Sequence, residues 1–411
     1  MFLPALGYAQ FRLVWVSGLF TWVGRWVETI VGAWLVLELT GSPFWVGMLG
    51  ACRFSLTLLG PFCGALSDRV NERLVLLTSQ VVYCTATLAV LALFALSLLE
   101  VWHLFAFTFI GSLCYTFDYS ARYSVACGVV LNHHITSAVS LMQATSGITS
   151  VLGPLIGGNL LEKIGASACF TVIASAFLLS FLVLFHLKIS LKDCRSKGPS
   201  ICEELVSGLR YIKENSFLFS LVLLAAMVNL FLFPSLYTLM PIFARSILGT
   251  GADGYGLLMA GAGAGAILGA LVTGILPRSI NQGKLLFGAI IAWPSFFGVL
   301  SLARTFEFSV ALLFMAGTAQ GISMSLVQAQ LMLRSSAEMR GRVSGARTLA
   351  ISALSVGNLM TGYEASLWGV PMVFFVNSLI FVSIAVLIAV WEPELIKCEG
   401  TLIPDRTRAI A

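Results

Sequence analysis

The sequence predicts an all-α membrane protein, with twelve transmembrane helices arranged as two pseudo-symmetric six-helix bundles. Three observations carry that expectation: an apolar composition, a regular alternation of apolar runs with short loops, and basic residues gathered on one side of those runs. Of 411 residues, 58% are hydrophobic and only 10% charged, with a mean hydropathy of +0.94, far above a soluble domain. A helix of about 20 apolar residues crosses a bilayer because it satisfies its own backbone hydrogen bonds. Hydropathy and helix breakers place such runs at 12–39, 44–66, 74–98, 104–126, 137–161, 167–188, 217–243, 255–277, 284–303, 308–332, 342–365 and 369–391. They nearly exhaust the chain, so no soluble catalytic or nucleotide-binding domain is expected.

The loops alternate in charge. Arg69, Arg73, Lys188, Lys192, Arg278, Lys284, Arg340 and Arg342 share one side with Arg12, whereas the other keeps only Lys163, Arg245 and Arg304. The positive-inside bias then puts both termini in the cytoplasm of a cell whose inner membrane holds the chain. The net charge of +5 sets topology rather than forming a nucleic-acid surface, so no nucleic-acid partner is expected. The longest polar stretch divides the spans six and six. It gives an N-terminal bundle at 1–189, a cytoplasmic linker at 190–215, a C-terminal bundle at 216–391 and a tail at 392–411. Gly153, Leu155 and Gly158 of span five recur 204 residues later as Gly357, Leu359 and Gly362 of span eleven, as expected of two halves of common origin.

Several segments have a mechanical reading. In Gly64-Ala-Leu-Ser-Asp68-Arg69-Val-Asn-Glu-Arg73, after span two, Gly64 permits close helix contact. Asp68 can meet the positive end of a neighbouring helix, and Arg69 and Arg73 anchor the loop. The corresponding Gly274-Ile-Leu-Pro-Arg278 lacks the acid. Gly153-Pro154-Leu-Ile-Gly157-Gly158 lets backbones approach, and Pro154 stiffens span five; these residues are read as packing. Asp118 and Arg122, four apart on span four, can pair with each other, or Asp118 can reach Arg73. A gate role is favoured for them over substrate binding.

The Gly64–Arg73 loop resembles the signature loop of the major facilitator superfamily, and the Gly-Pro segment resembles the motif of its drug and proton antiporters. Phe117-Asp118-Tyr-Ser-Ala-Arg122 and Arg340-Gly341-Arg342-Val343 are similar to segments of the transmembrane secretion effector family, which includes enterobactin exporters. So, in order and spacing, are Phe11-Arg12-Leu13 and Leu39-Thr40-Gly41-Ser42-Pro43. The chain departs from that family at Ser120, where a proline usually precedes the Ala-Arg pair. The resemblance covers nearly the whole chain. It implies the major facilitator fold, alternating access, and an Asp68 contact with span eleven that closes the cytoplasmic gate in the outward-open state.

Charges at membrane depth are costly and usually face a cavity. Arg25 and Glu28 share one face of span one with Trp22 and Trp26 beside them, and Arg53 lies near mid-depth of span two and can join them. Two readings stay open: Glu28 takes up and releases a proton, or Arg25 and Glu28 form a fixed pair. One surplus guanidinium at this depth favours an anionic or phenolate-bearing amphipathic substrate. Asn229, Gln328, Arg347 and Asn358 are the second-half candidates for the substrate and proton cavity. His133 and His134 are read as solvated loop residues. With no phosphate-binding GxxxxGK[ST] loop and no metal-spaced cluster, neither cofactor nor metal is expected, and an enzyme is not. The expected function is export of a small drug-like or siderophore-like molecule by a monomer in exchange for protons. Uptake or facilitated diffusion of a metabolite, lysolipid translocation and a transport-dead sensor are the alternatives.

Overall fold

The computed structural model describes residues 4–59, 71–188, 201–277, 281–336 and 349–397, together with Met339, Val343 and Arg347. Among these residues all regular structure is helical. Span one is Ala9–Thr40, span two Pro43–Ser55, span three Glu72–Ala95, span four Val101–Gly128, span five Ile135–Lys163 and span six Ala166–Phe185. The linker carries a helix, Ile201–Glu214. Span seven runs in pieces from Ser216 to Ser246, and spans eight, nine and ten are Ala252–Ile275, Gln282–Leu300 and Phe306–Arg334. Span eleven is described as a helix over Ala353–Trp368, and span twelve is Val370–Trp391.

Local chemistry sets the breaks. Span one stops at Gly41, which adopts the left-handed conformation (φ 63°) and returns its N–H to the Leu37 carbonyl, a cap that only glycine enters without a Cβ penalty. Pro43 then opens span two, at a position that needs no N–H. The Asn71, Asn215 and Asn281 side chains accept backbone N–H groups at the starts of spans three, seven and nine. Span seven contains a π-helical segment, Val228–Leu232. Its cause is Pro234, which cannot donate to the Leu230 carbonyl four residues earlier.

Within the second half, Gly265, Gly269, Gly317 and Gly321 bring spans eight and ten into backbone contact; a Cβ on Gly317 would stand 3.1 Å from the Ala262 Cα. Large apolar side chains such as Leu271, Ile275, Leu387 and Val390 point outward at 58–82% exposure, the inverse of a soluble surface and the pattern a lipid solvent requires.

The N-terminal end of span one and the last turn of span six share one face, where the Gln10 side chain accepts the Lys188 N–H at 2.8 Å. We call this the terminal face and its opposite the far face. Near the far face the two halves touch at two equivalent crossings. Span two meets span eleven where a Cβ on Gly47 would lie 2.9 Å from the Gly362 Cα, and span five meets span eight where a Cβ on Gly158 would lie 2.9 Å from the Gly256 Cα. Gly158 and Gly362 are the 204-residue repeat partners. Side-chain contacts reinforce the closure: Trp34 stacks on Tyr255 at 6.2 Å, and Glu162 accepts the Ala252 N–H at 2.8 Å.

Glycines inside one half and glycines between halves should answer differently to added bulk. Gly317→Leu is expected to cost about 1–3 kcal/mol through overpacking and to lower the thermal unfolding temperature in detergent. Gly47→Leu should leave that temperature near the parent value while opening the far face to an impermeant thiol reagent at a cysteine placed at Trp34. Equal destabilisation by both variants would show that the crossings hold the fold rather than a state.

Candidate functional site

A cavity of about 300 Å³ lies between the halves on the terminal side of the two crossings. Trp22, Arg25 and Trp26 of span one and Arg53 of span two line it. Gly153 positions Trp26, since any Cβ there would collide with the indole's own Cβ, and Gly157 packs on Val27 of the same helix.

Glu28 is not on the cavity wall. It is 1% exposed, and both its oxygens are taken by one guanidinium: Arg53 Nη2 donates to Oε1 at 2.6 Å and Nη1 to Oε2 at 2.7 Å. Of the two readings left open for Glu28, the fixed pair with Arg25 is corrected: the partner is Arg53. Residues three apart share a helix face, but Arg53 approaches end-on with the planar fork that fits a carboxylate. Ser112 of span four fixes the Arg53 backbone, its hydroxyl donating to the Arg53 carbonyl at 2.7 Å. Arg25 turns to aromatic faces instead, with its guanidinium carbon 4.8 Å from the Tyr115 ring centre and 5.6 Å from that of Tyr83. Among the described residues it makes no ion pair.

Sequence reasoning missed the largest feature of the wall, a phenol ladder. Tyr115, Tyr119 and Tyr123 recur every four residues along span four with ring centres 5.6 and 4.7 Å apart, and all three line the cavity with Tyr237 of span seven. The signal is an i, i+4, i+8 tyrosine stripe beside Asp118 and Arg122.

The other second-half candidates are not in the wall. Asn229 donates to the Ala225 carbonyl of its own helix, and Asn358 sits against Gly50 and accepts from Thr238 Oγ1 at 2.8 Å. Both are buried as helix-to-helix polar packing rather than facing a ligand. Gln328 accepts from Arg347, joining spans ten and eleven, and Arg347 stands within electrostatic range of Tyr119.

Of the gate residues, Gly64, Asp68 and Arg69 lie outside the described residues. Arg73 does not reach Asp118; it donates to the Phe185 carbonyl at 2.7 Å, closing the end of span six. Asp118 pairs within span four, with Arg122 Nε donating to Oδ2 at 2.9 Å and Nη2 to Oδ1 at 2.8 Å. Arg122 is fully buried and also donates to Ser17 Oγ at 2.6 Å and to the Val14 carbonyl at 3.1 Å, while Gln80 of span three donates to Asp118 at 2.8 Å. Pro154 and Gly158 meet span eight at the far-face crossing. His133 is exposed as expected, but His134 is bonded to the Tyr8 hydroxyl at 2.9 Å and is half-buried, because the loop folds back on the chain's start.

Breaking either buried pair from the acid side strands a guanidinium in low dielectric. Asp118→Ala and Glu28→Ala are each expected to cost about 3–5 kcal/mol, read as a fall in unfolding temperature in detergent. The joint change Asp118→Leu with Arg122→Leu should recover much of the loss.

A family model described as transmembrane secretion effector matches residues 3–403. The MFS-type transporter YfiS of Bacillus subtilis is 25% identical over 394 residues, covering 90% of this chain and 92% of its own. The multidrug resistance protein MdtG of Escherichia coli is 26% identical over 349 residues, covering 78% of this chain and 83% of its own. Among solved structures, a bacterial homologue of the human lysosomal transporter Spinster superposes with a TM-score of 0.72 at 15% identity, covering 96% of this chain and 98% of that one. The nucleoside transporter NupG does so with 0.69 at 13%, covering 95% and 100%. These likenesses give the twelve-helix transporter fold, which is not that of an enzyme, and with the match over nearly its entire length the chain belongs to the transmembrane secretion effector family of the major facilitator superfamily.

Proposed function

We propose that the protein exports a small amphipathic compound, anionic and aromatic, across the inner membrane by alternating access in exchange for protons. The observation that carries this reading is the cavity wall: two indoles, a ladder of phenols, and one guanidinium, Arg25, that makes no ion pair among the described residues. Stacking surfaces recognise flat apolar bodies with little regard to their outline, and an arginine on aromatic faces offers its N–H groups to a carboxylate or phenolate. The relative named a multidrug resistance protein supports export of drug-like molecules. The halves 1–189 and 216–391 would then rock about this cavity as a monomer, with both termini cytoplasmic, the terminal face inward, and the far-face crossings sealing the outside.

In proteoliposomes, an imposed proton gradient is expected to drive accumulation of an anionic aromatic dye. Arg25→Gln should weaken apparent affinity for that dye by about ten- to a hundredfold, the loss of a charged hydrogen bond. Transport of a neutral dye of similar shape should change little. Equal loss for both dyes would show that Arg25 holds the helices and not the ligand, and gradient-independent equilibration of every solute would favour facilitated diffusion.

A further inference from the structure

Three acidic side chains lie inside the described spans more than one turn from a helix start and clear of the last three residues at the helix ends nearest the loops: Glu28, Asp118 and Glu364 among the half-buried or buried ones. The first two are locked in bidentate contacts with Arg53 and Arg122. Glu364, four residues before the end of span eleven, has no ion pair among the described residues. Among the described residues its buried Oε2 makes no well-formed hydrogen bond.

Its neighbour is equally unsatisfied. Asn377 of span twelve is fully buried, and among the described residues neither its Nδ2 nor its Oδ1 makes a well-formed hydrogen bond, although its amide lies close enough to the Glu364 carboxyl to act on it. The Thr361 hydroxyl, fully buried one turn earlier on span eleven, is orphaned as well. Leaving a buried amide with nothing to bond is costly, and native interiors seldom do so without a ligand, water or function at the place.

The chemistry of the pair suits one ligand. An amide offers a donor to a carboxylate and an acceptor to a carboxylic acid, so a rotation of the Asn377 amide can satisfy Glu364 in both charge states. Among the described residues no arginine or lysine pairs with Glu364. Span twelve has no ionisable residue between Val370 and Trp391. Span two brings Cys52 and Arg53, the latter held on Glu28, and span seven brings Tyr237 and Arg245, whose guanidinium donates to the Leu37 carbonyl at 3.5 Å. On span eleven itself Tyr363 and Trp368 are exposed at 56% and 55%, an aromatic belt that sets this turn at the membrane–water boundary of the far face.

We propose that Glu364 and Asn377 form a proton-binding site, loaded from the far face and separate from the central cavity, that supplies the ion exchange in the export reading on which it rests. The carboxylate takes a proton at Oε2 and gives it up later, with no other bond made or broken. Gly362, two residues away, forms the span two crossing, so the state of this turn bears directly on the seal that must part.

The test uses the full-length protein and a hydrophobic carbodiimide, which modifies protonated carboxyls in apolar surroundings. Mass spectrometry of the wild type should find the adduct on Glu364, falling as pH rises, and none on Glu28 or Asp118. Asn377→Ala should displace the pH midpoint of labelling. In proteoliposomes, Glu364→Gln should lose gradient-driven dye transport while keeping dye counterflow, which also certifies its fold. Absence of adduct at Glu364 at every pH, or gradient-driven transport by Glu364→Gln at the wild-type rate, overturns the proposal. If the wild type carries the pH-dependent adduct but moves no dye against a gradient, the export reading fails and the proton site stands.

Discussion

Arg122 carries a full charge with no exposed surface, and the arrangement of the first half follows from what that charge demands. In a medium of low dielectric a guanidinium must be matched by a carboxylate and its remaining N–H groups must be bonded. Asp118 supplies the charge from the same helix, and Ser17 and the Val14 carbonyl supply acceptors from span one. Thr21 then bridges Gln80 of span three and Ser180 of span six. Four helices are thus tied at one depth by bonds that cannot be exchanged for water. The Glu28–Arg53 pair repeats the device between spans one and two, with Thr108 of span four at 3.5 Å from the carboxylate. Lipid gives helices no hydrophobic reason to associate, so such polar ties and close backbone packing hold them together.

The contacts between halves are of another kind. At the two far-face crossings glycine meets glycine, and among the described residues neither crossing contains an ion pair. Contacts made of small residues pack well when closed and leave no stranded charge when parted. The polar contacts that accompany them, Glu162 on the Ala252 N–H and Arg245 on the Leu37 carbonyl, lie near the far-face water, where the groups can be resolvated. Strong bonds lie inside the first half and weak, reversible ones lie between halves, the distribution a rocking mechanism needs.

Much of this was legible in the sequence, and the reasons differ by element. Span existence follows from composition because the bilayer admits few alternatives; the 204-residue repeat marked both crossings because close approach demands glycine at equivalent places. Side-chain partners were less legible. Spacing on one helix suggested Arg25 for Glu28, whereas the partner came from span two, 25 residues on, and no one-dimensional rule ranks those choices. Asn229 and Asn358 read as cavity polar groups because sequence shows depth but not azimuth. The π-helical segment of span seven follows from Pro234 only once that helix is known to continue through it.

The two halves, though built on one repeat, divide the work unequally. Where span five has Pro154, span eleven has Asn358. Their carbonyls occupy the same place at the two crossings, each over a glycine of the facing helix, Gly256 and Gly47. Asn358 adds what proline cannot, a side chain that accepts from Thr238 of span seven. Span eleven is therefore bound laterally to span seven beside its π-helical segment, where Gly357 rests on the Leu230 carbonyl, to which Pro234 has no N–H to donate. A helix that has already lost one backbone bond bends more readily than one with its ladder intact. The charges and all of the aromatic wall but Tyr237 are fixed in the first half, and the joint that can yield lies in the second, so the second half is the one expected to move around a cavity the first half largely defines.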